Sequence, residues 1–258
     1  MRIVVCLKQV PDTSEVKIDP VKGTLIREGV PSIINPDDRH ALEEALRLRE
    51  TEGGEVIVIS MGPPQAELAL REALALGAER AILVTDRMFA GADTFATANA
   101  LEAAVKRVKN VDLVFCGQQA IDGDTAQVGP QLAERLDLPQ ITYAVRLWIE
   151  GDKLVAVRGT EEGEEELQVP LPALVTATKE LNVPRYPSIN GIVNLKDKTI
   201  ERWTGTELKL DPNKVGLSGS KTKVKKTFAP QAKGQSEIIQ GAGPEVVARI
   251  LNKIAERV

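Results

Sequence analysis

The sequence has few of the side chains that enzymes use for metal, acid–base or stacking chemistry. Its 258 residues include one histidine, His40, two cysteines and 3% aromatic residues. A single histidine excludes histidine-rich metal sites and argues against a histidine-based catalytic triad. The small number of aromatic rings argues against a surface that stacks the bases of single-stranded nucleic acid. We therefore expect no metal site, and the sequence identifies no catalytic residue.

Strong net charge and long apolar runs are also missing. The net charge of -4 leaves no broad basic excess, so we expect no nucleic-acid partner. No apolar run approaches the length of a membrane span, and the first strand follows no charged-then-apolar leader. Cys6 and Cys116 lie in apolar segments without a C-x-x-C pair, which is typical of buried thiols in a reducing compartment. These features predict a cytoplasmic protein without membrane insertion.

What the sequence does contain is an alternation of strand-like and helical segments over its first two-thirds. Continuous apolar runs at 56–59 and 81–84 are typical of parallel strands that are covered on both faces. The pattern predicts an α/β fold with a mostly parallel, doubly wound, Rossmann-like sheet. The predicted strands are 3–7, 56–60, 81–85 and 113–116, and the predicted helices are 37–50, 65–76, 94–108 and 126–136.

The pattern changes after residue 139. Alternating segments separated by acidic, glycine-containing turns predict an antiparallel meander, followed by a buried strand at 173–178. A small hairpin is predicted nearer the N-terminus, with strands at 15–18 and 24–27. The predicted strands of the meander are 144–149, 154–158 and 165–169.

The composition shifts again from about residue 197, toward glycine, serine, lysine and proline, before an amphipathic helix at 244–257. We predict an α/β nucleotide-binding domain at 1–196, with antiparallel strands at about 144–178, and a C-terminal arm and helix at 197–258. The arm is expected to contact another polypeptide, and packing against its own domain is the open alternative.

The loop after the strand at 113–116 is the most informative stretch. Its glycines let the backbone approach a ligand, and the helix start that follows favours an anion. Ligands of such sheets bind outside the carboxyl ends of the strands, where the loops after Leu7, Ser60 and Cys116 are expected to share a crevice.

An ordinary turn capped by Asp124 or Thr125 remains open, because the loop matches neither common nucleotide-binding fingerprint. Two carboxylates, Asp122 and Asp124, would also repel a phosphate, so we expect them to bind hydroxyls, amides or their own backbone. The segment 35–38 predicts a helix start with an asparagine cap and a proline in the first turn.

Four separated motifs resemble the beta subunits of electron-transfer flavoproteins, and the resemblance covers nearly the whole chain. The motifs are Asn35-Pro36-Asp37-Asp38 with Glu43-Glu44-Ala45, Met61-Gly62-Pro63, Gly117-x-Gln119-Ala120-Ile121-Asp122-Gly123-Asp124, and 178–188. The resemblance implies a heterodimer with an alpha subunit, which holds most of the site for one FAD. It also implies an adenine nucleotide in the beta-subunit crevice.

That nucleotide is AMP in family members that carry single electrons, and a second FAD that accepts hydride from NADH in electron-bifurcating members. The small residues at 123–130 resemble the bifurcating form, so FAD is expected and AMP is the alternative. By this resemblance the cofactor-binding residues are Cys6, Lys8, Asn35, Asp38, Met61, Gln119, Asp122, Gly123, Asp124, Thr125, Ala126, Gln127, Val128 and Gly129.

The segment at about 184–194 resembles the family's partner-recognition loop, with Tyr186, Ile189 and Ile192 as the partner-binding residues. The implied partners are a flavin dehydrogenase such as an acyl-CoA dehydrogenase, with NADH and ferredoxin in bifurcating members. A buried Ile189 after a proline turn is the structural alternative. A stand-alone adenine-nucleotide-binding or hydrolysing protein and a purely structural scaffold are the competing functions, although no P-loop lysine or activated nucleophile is recognisable.

Overall fold

A nine-stranded, mostly parallel sheet forms the centre of the fold in the computed structural model, which describes residues 1–12, 17–18, 25–26, 31–225, 238–241 and 243–255. The strands in chain order are β1 Arg2–Cys6, β2 Gln9–Pro11, β3 Lys17–Ile18, β4 Leu25–Ile26, β5 Ser32–Ile34, β6 Glu55–Met61, β7 Arg80–Val84, β8 Leu113–Gly117, β9 Gln140–Glu150, β10 Lys153–Thr160, β11 Gly163–Pro170, β12 Ala173–Ala177 and β13 Ile200–Trp203. The α-helices are α1 Pro36–Glu52, α2 Glu67–Leu76, α3 Thr94–Val108, α4 Val128–Leu136, α5 Ile189–Val193, α6 Gly216–Gly219 and α7 Pro244–Ala255.

The strand order places the topological switch point of the sheet, where the direction of the connections reverses, beside β1. The order is β11-β10-β9-β12-β8-β1-β6-β7-β13, and β1 pairs in parallel with β6 on one side and with β8 on the other. Successive connections therefore run away from β1 in both directions, which creates a crevice at the carboxyl ends of β1 and β8. Strands β9, β10 and β11 form the antiparallel meander. The predicted α/β class, with its parallel sheet and antiparallel part, is confirmed.

Apolar residues cover both faces of the parallel strands. Ile3 and Val5 of β1 face the cluster that includes residues of α1 and α2, whereas Val4 and Cys6 face the cluster that includes residues of α3 and α4. Burial on both sides explains why the strands are continuous apolar runs. Each fully buried aliphatic side chain contributes about 1.5–3 kcal/mol relative to exposure, so the sheet forms a rigid base for the loops at its edge.

The small N-terminal hairpin is present in part. Strands β3 and β4 pair antiparallel, with Lys17 opposite Ile26 and Ile18 opposite Leu25. The predicted turn at 19–23 and the outer ends of both predicted strands lie outside the described residues.

The sheet extends past residue 196. Strand β13 pairs in parallel with β7, and Trp203, Leu208 and Val215 are buried against the α3 face. The predicted boundary between 196 and 197 would cut β13 off from the sheet to which it belongs. A short strand with few apolar residues in a polar stretch shows little periodicity, so the sequence pattern does not reveal it.

The terminal helix differs from this packed region. Helix α7 has an apolar stripe at Val247, Ile250, Leu251 and Ile254, whose exposure ranges from 43% to 59%. Residues 256–257 of the predicted helix lie outside the described part of the chain, and the contact of this segment with a second polypeptide stays a prediction. Among the described helices, none combines the length and apolarity needed to cross a membrane.

Candidate functional site

Three strand ends and three loops meet at one edge of the sheet. Strands β8, β1 and β6 are direct neighbours, with Val5 opposite Phe115 and Cys6 opposite Ile59. Lys8 follows β1, Met61 ends β6, and the loop at 118–127 follows β8. The predicted convergence of three loops is thus present, and we call this edge the rim.

Asp38 ties the ends of β1 and β8 together. Its carboxylate accepts a hydrogen bond from the backbone N–H of Lys8 at 2.7 Å and another from the backbone N–H of Gly117 at 3.0 Å. Each oxygen therefore holds a different strand end. The side chain of Asp38 is buried, with 6% exposure, so its two hydrogen bonds fix the distance between the ends of β1 and β8 beneath the rim.

Burial raises the pKa of Asp38 to about 7, although hydrogen bonds from Lys8, Asn35 and Gly117 lower it in part. The neighbouring Asp37 accepts a hydrogen bond from the backbone N–H of Gln119 at 3.3 Å. Burial also raises the pKa of Asp37, and the bond to Gln119 opposes that effect. The first turn of α1 thus brings two carboxyl groups against the backbone of the β8 loop, which is costly unless the backbone N–H groups satisfy them.

Asn35 holds the middle of the same loop. Its side-chain nitrogen donates to the carbonyl oxygen of Gln119 at 2.7 Å, and its side-chain oxygen accepts from the backbone N–H of Ile121 at 3.1 Å. Asn35 stands at the N-cap of α1 and Pro36 in its first turn, as predicted, but the Asn35 side chain forms no cap hydrogen bond with its own helix. The helix start instead uses its polar side chains to hold a loop more than 80 residues away in sequence.

Replacing Asn35 with alanine is expected to lower the free energy of unfolding by about 2–4 kcal/mol. The change leaves the N–H of Ile121 and the carbonyl of Gln119 without their partner, and each unsatisfied buried group costs about 1–3 kcal/mol. Urea unfolding of the parent and the variant measures the difference. Asn35→Asp keeps the acceptor but sets a buried carboxylate against the carbonyl oxygen of Gln119, so near neutral pH it should destabilise the protein at least as much as alanine does. A change below about 0.5 kcal/mol, the size typical of surface substitutions, would contradict this role.

Lys8 and Asp122 form an ion pair across the mouth of the rim. The Lys8 Nζ lies 2.6 Å from the Asp122 Oδ1, and their side chains are 48% and 34% exposed. The expectation that Asp122 binds only hydroxyls, amides or its own backbone is therefore wrong. Because both groups are solvated, the pair contributes at most about 1 kcal/mol to stability. Its effect is to neutralise a carboxylate that would otherwise repel an anion at the rim.

The helix after the loop begins later than the sequence predicts. Helix α4 starts at Val128, and no side chain caps it, so the alternative of a turn capped by Asp124 or Thr125 is wrong. Asp124 and Ala126 have positive φ angles of 54° and 53°, a conformation that is uncommon for residues other than glycine. No side chain therefore satisfies the first N–H groups of α4, and N–H groups at a helix start favour an anionic acceptor.

Gly129 allows this helix start to lie directly on the sheet. A Cβ atom at this position would come 2.5 Å from Thr176 Cγ2 on β12. Glycine is required here by close approach rather than by its φ angle.

The sequence-predicted cofactor residues divide into buried supports and exposed rim residues. The buried ones are Cys6, Asn35, Asp38 and Gly129; Met61, Gln119, Ala126 and Val128 are half-buried; Lys8, Asp122, Gly123, Asp124, Thr125 and Gln127 are exposed. The side chains of Asn35 and Asp38 are engaged in holding the loops. The cysteines at 6 and 116 are both buried free thiols.

Two clefts lie away from the rim. One is lined by Met1, Arg2 and Asn110 and the other by Arg107 and Glu207. The first lies at the amino ends of β1, β6 and β8, and the second lies between the last turns of α3 and the segment that follows β13. The described residues contain no group of three or more histidine, cysteine, aspartate or glutamate side chains that could hold a metal ion.

A second exposed feature follows β12. Tyr186, Ile189 and Ile192 are 89%, 82% and 56% exposed, so the alternative of a buried Ile189 is wrong. Helix α5 begins at Ile189, where the Ser188 Oγ accepts a hydrogen bond from the N–H of Gly191 at 2.9 Å. The contacts that fasten this segment to α1 leave no local pattern in the sequence, because the partners are separated by about 140 residues.

Comparisons with known proteins agree with this architecture. The family model described as "Electron transfer flavoprotein domain" matches residues 22–208. The electron transfer flavoprotein subunit beta of Thermoanaerobacterium thermosaccharolyticum is 58% identical over all of this chain and 99% of its own length. Subunit CarD of the caffeyl-CoA reductase-Etf complex of Acetobacterium woodii is 53% identical over 100% and 99% of the two chains.

A third relative is named for a reductase as well. The acryloyl-CoA reductase electron transfer subunit gamma of Anaerotignum propionicum is 43% identical over 100% of this chain and 99% of its own length. The matched family model covers most of the chain, and the relatives cover it completely. The chain belongs to the electron transfer flavoprotein family, among its beta subunits, whose role is electron transfer.

Proposed function

We propose that this chain binds the adenine part of a cofactor at the rim and relays electrons within a heterodimer with an alpha subunit. The uncapped start of α4 carries the proposal, since its backbone N–H groups and positive dipole suit a pyrophosphate. The Lys8 and Asp122 ion pair offsets the negative charge of the loop at the same place. The exposed hydroxyl of Thr125 supplies a further donor.

The cofactor of this subunit is FAD, and AMP is the alternative. Both carry an adenosine and a phosphate, so the rim residues suit both. Gly123 and Ala126 keep the loop free of bulk before Val128, which leaves space for a group beyond the phosphates. A further FAD is held mainly by the alpha subunit. When bound, the flavins supply the redox chemistry, and the residues of this chain position them and set their surroundings.

Electron bifurcation is the specific form of transfer that we propose, with NADH as the donor and ferredoxin as one acceptor. The other branch leads to a flavin dehydrogenase related to the acyl-CoA dehydrogenases. Two relatives are named as parts of a caffeyl-CoA reductase complex and of an acryloyl-CoA reductase, which supports a partner of that class. The two buried free thiols fit a reducing, cytoplasmic setting.

The heterodimer, produced by expressing this chain with its alpha subunit, is expected to contain two FAD molecules and to bleach on titration with NADH. Acid extraction and chromatography measure the bound nucleotides, and the visible spectrum follows reduction. One FAD plus one AMP would reject the bifurcating form in favour of a carrier of single electrons. A chain that copurifies with no flavin and hydrolyses adenine nucleotides would reject electron transfer through this rim. Thr125→Val is the matched variant, and it should weaken retention of the nucleotide of this subunit.

A further inference from the structure

One arginine joins the exposed apolar segment to helix α1. The Arg185 Nε donates to Glu43 Oε2 at 2.9 Å, and its Nη2 donates to Glu43 Oε1 at 3.2 Å. The same guanidinium donates to both carboxylate oxygens of Glu50, at 2.5 Å and 3.1 Å. The backbone N–H of Arg185 adds a hydrogen bond to Glu43 at 3.0 Å. A planar fork that engages two carboxylates fixes direction as well as distance.

Glu43 is held inside the protein for this contact. Its side chain is 4% exposed, and burial alone would raise its pKa. Hydrogen bonds from Arg185 and Arg47 outweigh burial, so the pKa of Glu43 lies below its usual value. Glu50 and Glu43 in turn raise the pKa of Arg185. A buried, ionised carboxylate with a partner at a fixed angle is a rigid attachment point, unlike a solvated surface pair.

The rest of the segment is attached in the same manner. The Asn182 side chain donates to the carbonyl oxygen of His40 at 3.0 Å and to Glu44 Oε2 at 2.9 Å. Gly191 lies so close to the carbonyl oxygen of Ala75 that a Cβ would fall on that atom. The segment from 183 to 188 forms no helix or strand, so these side-chain contacts replace a backbone ladder. They hold a base from which Tyr186 and Ile189 project into solvent.

We propose that Arg185 is a positioning residue for electron transfer to the dehydrogenase, because its bridge to Glu43 and Glu50 fixes the docking segment 183–193 before the partner arrives. This inference rests on the proposed function of that segment. A segment that is ordered in advance avoids the entropy cost of ordering its side chains during association. Arg185 itself need not touch the partner, and its effect reaches the interface through the placement of Ile189.

The test compares Arg185→Gln with the parent heterodimer. The KM for the dehydrogenase is expected to rise roughly three- to tenfold with kcat unchanged. A change of this size is expected when one or two side chains become ordered only on binding the partner, and not already on folding. Hydrogen exchange of the backbone amides at 183–193 should become faster. Reduction by NADH without dehydrogenase should be unaffected, since the change lies outside the rim. Glu43 keeps its bonds to Arg47 and to the backbone N–H of Arg185, so the fold should persist.

Two further substitutions make the result specific. Arg185→Lys keeps the charge but loses the fork, so it should restore the KM only in part. Arg146→Gln removes a different arginine ion pair, with Glu164 in the antiparallel meander, and should change neither the KM nor the exchange at 183–193. If Arg185→Gln failed to give a heterodimer, Glu50→Gln would remove half of the bridge and should shift both quantities in the same direction.

The outcomes separate this inference from the proposed function. Ile189→Ala should raise the KM while leaving amide exchange at 183–193 slow, because it removes the anchor and keeps the base. A raised KM with Ile189→Ala and an unchanged KM with Arg185→Gln would reject the positioning role alone. An unchanged KM with both variants would reject the docking segment itself. If Arg185→Gln slowed reduction by NADH alone as much as it slowed transfer to the dehydrogenase, the variant would have a general structural defect, and this result would also overturn the inference.

Discussion

Replacing Gly117 with alanine is expected to lower the free energy of unfolding by roughly 3–5 kcal/mol and to prevent retention of the nucleotide. A Cβ at this position would clash with the Oδ1 atom of Asp38 and would lie 2.7 Å from the Asp38 backbone nitrogen. Inserting one methyl group into a packed site costs about 1–3 kcal/mol. Loss of the Gly117 to Asp38 hydrogen bond leaves a buried acceptor without this partner, which adds about 1–3 kcal/mol.

The matched control lies in the same loop. Gly123 has open space around its would-be Cβ and no positive φ angle that would strain alanine. Gly123→Ala should therefore keep the stability within about 0.5 kcal/mol of the parent, as surface substitutions do. Urea unfolding and the nucleotide content of the purified heterodimer measure both effects. Equal stability of the two alanine variants would mean that the contact between α1 and the end of β8 does not hold the rim in place.

The fold was predictable to a large degree because burial on both faces produces a strong sequence signal. Helix α3 has the predicted bounds of 94–108, the predicted strand 113–116 is one residue shorter than β8 at one end, and the predicted strand 56–60 is one residue shorter than β6 at each end. Periodicity reports burial, and burial follows directly from the layered packing. Strand β13 gives no such signal and was missed. Ile200 and Trp203 are the two apolar residues of a four-residue strand at the edge of the sheet, which is too few to form a pattern.

The edge of the sheet that holds the candidate site was also predictable, but the contacts there were not. Strand order and the rule of carboxyl-end binding place the loops together. The side chain of Asn35 forms its bonds with the loop at 119–121, and Lys8 pairs with Asp122 across 114 positions. At helix starts the polar side chains have two uses, local capping or long-range attachment, and sequence spacing favours the local one. The choice depends on which backbone groups the fold brings within reach.

Asp38→Asn is expected to remove a large pH dependence of stability. The pKa of Asp38 is about 7 in the folded protein and 3.8 in a free side chain, so the folded protein holds this proton more tightly. Its contribution to the free energy of unfolding is therefore complete below about pH 4 and is lost as the pH rises through about 7. A difference of about three in pKa corresponds to about 4 kcal/mol. The asparagine variant has no such group to titrate.

The measurement is the free energy of unfolding of parent and variant heterodimers at intervals between about pH 4 and about pH 8. Every other titratable group is the same in the two proteins, so the difference between the two curves isolates Asp38. Asparagine also offers only one oxygen to the N–H groups of Lys8 and Gly117, which lowers the variant curve at every pH. The advantage of the parent should therefore be greatest at low pH and shrink toward neutrality. Parallel curves over this range would mean that Asp38 stays ionised in the folded protein, because its two backbone hydrogen bonds then outweigh the cost of its burial.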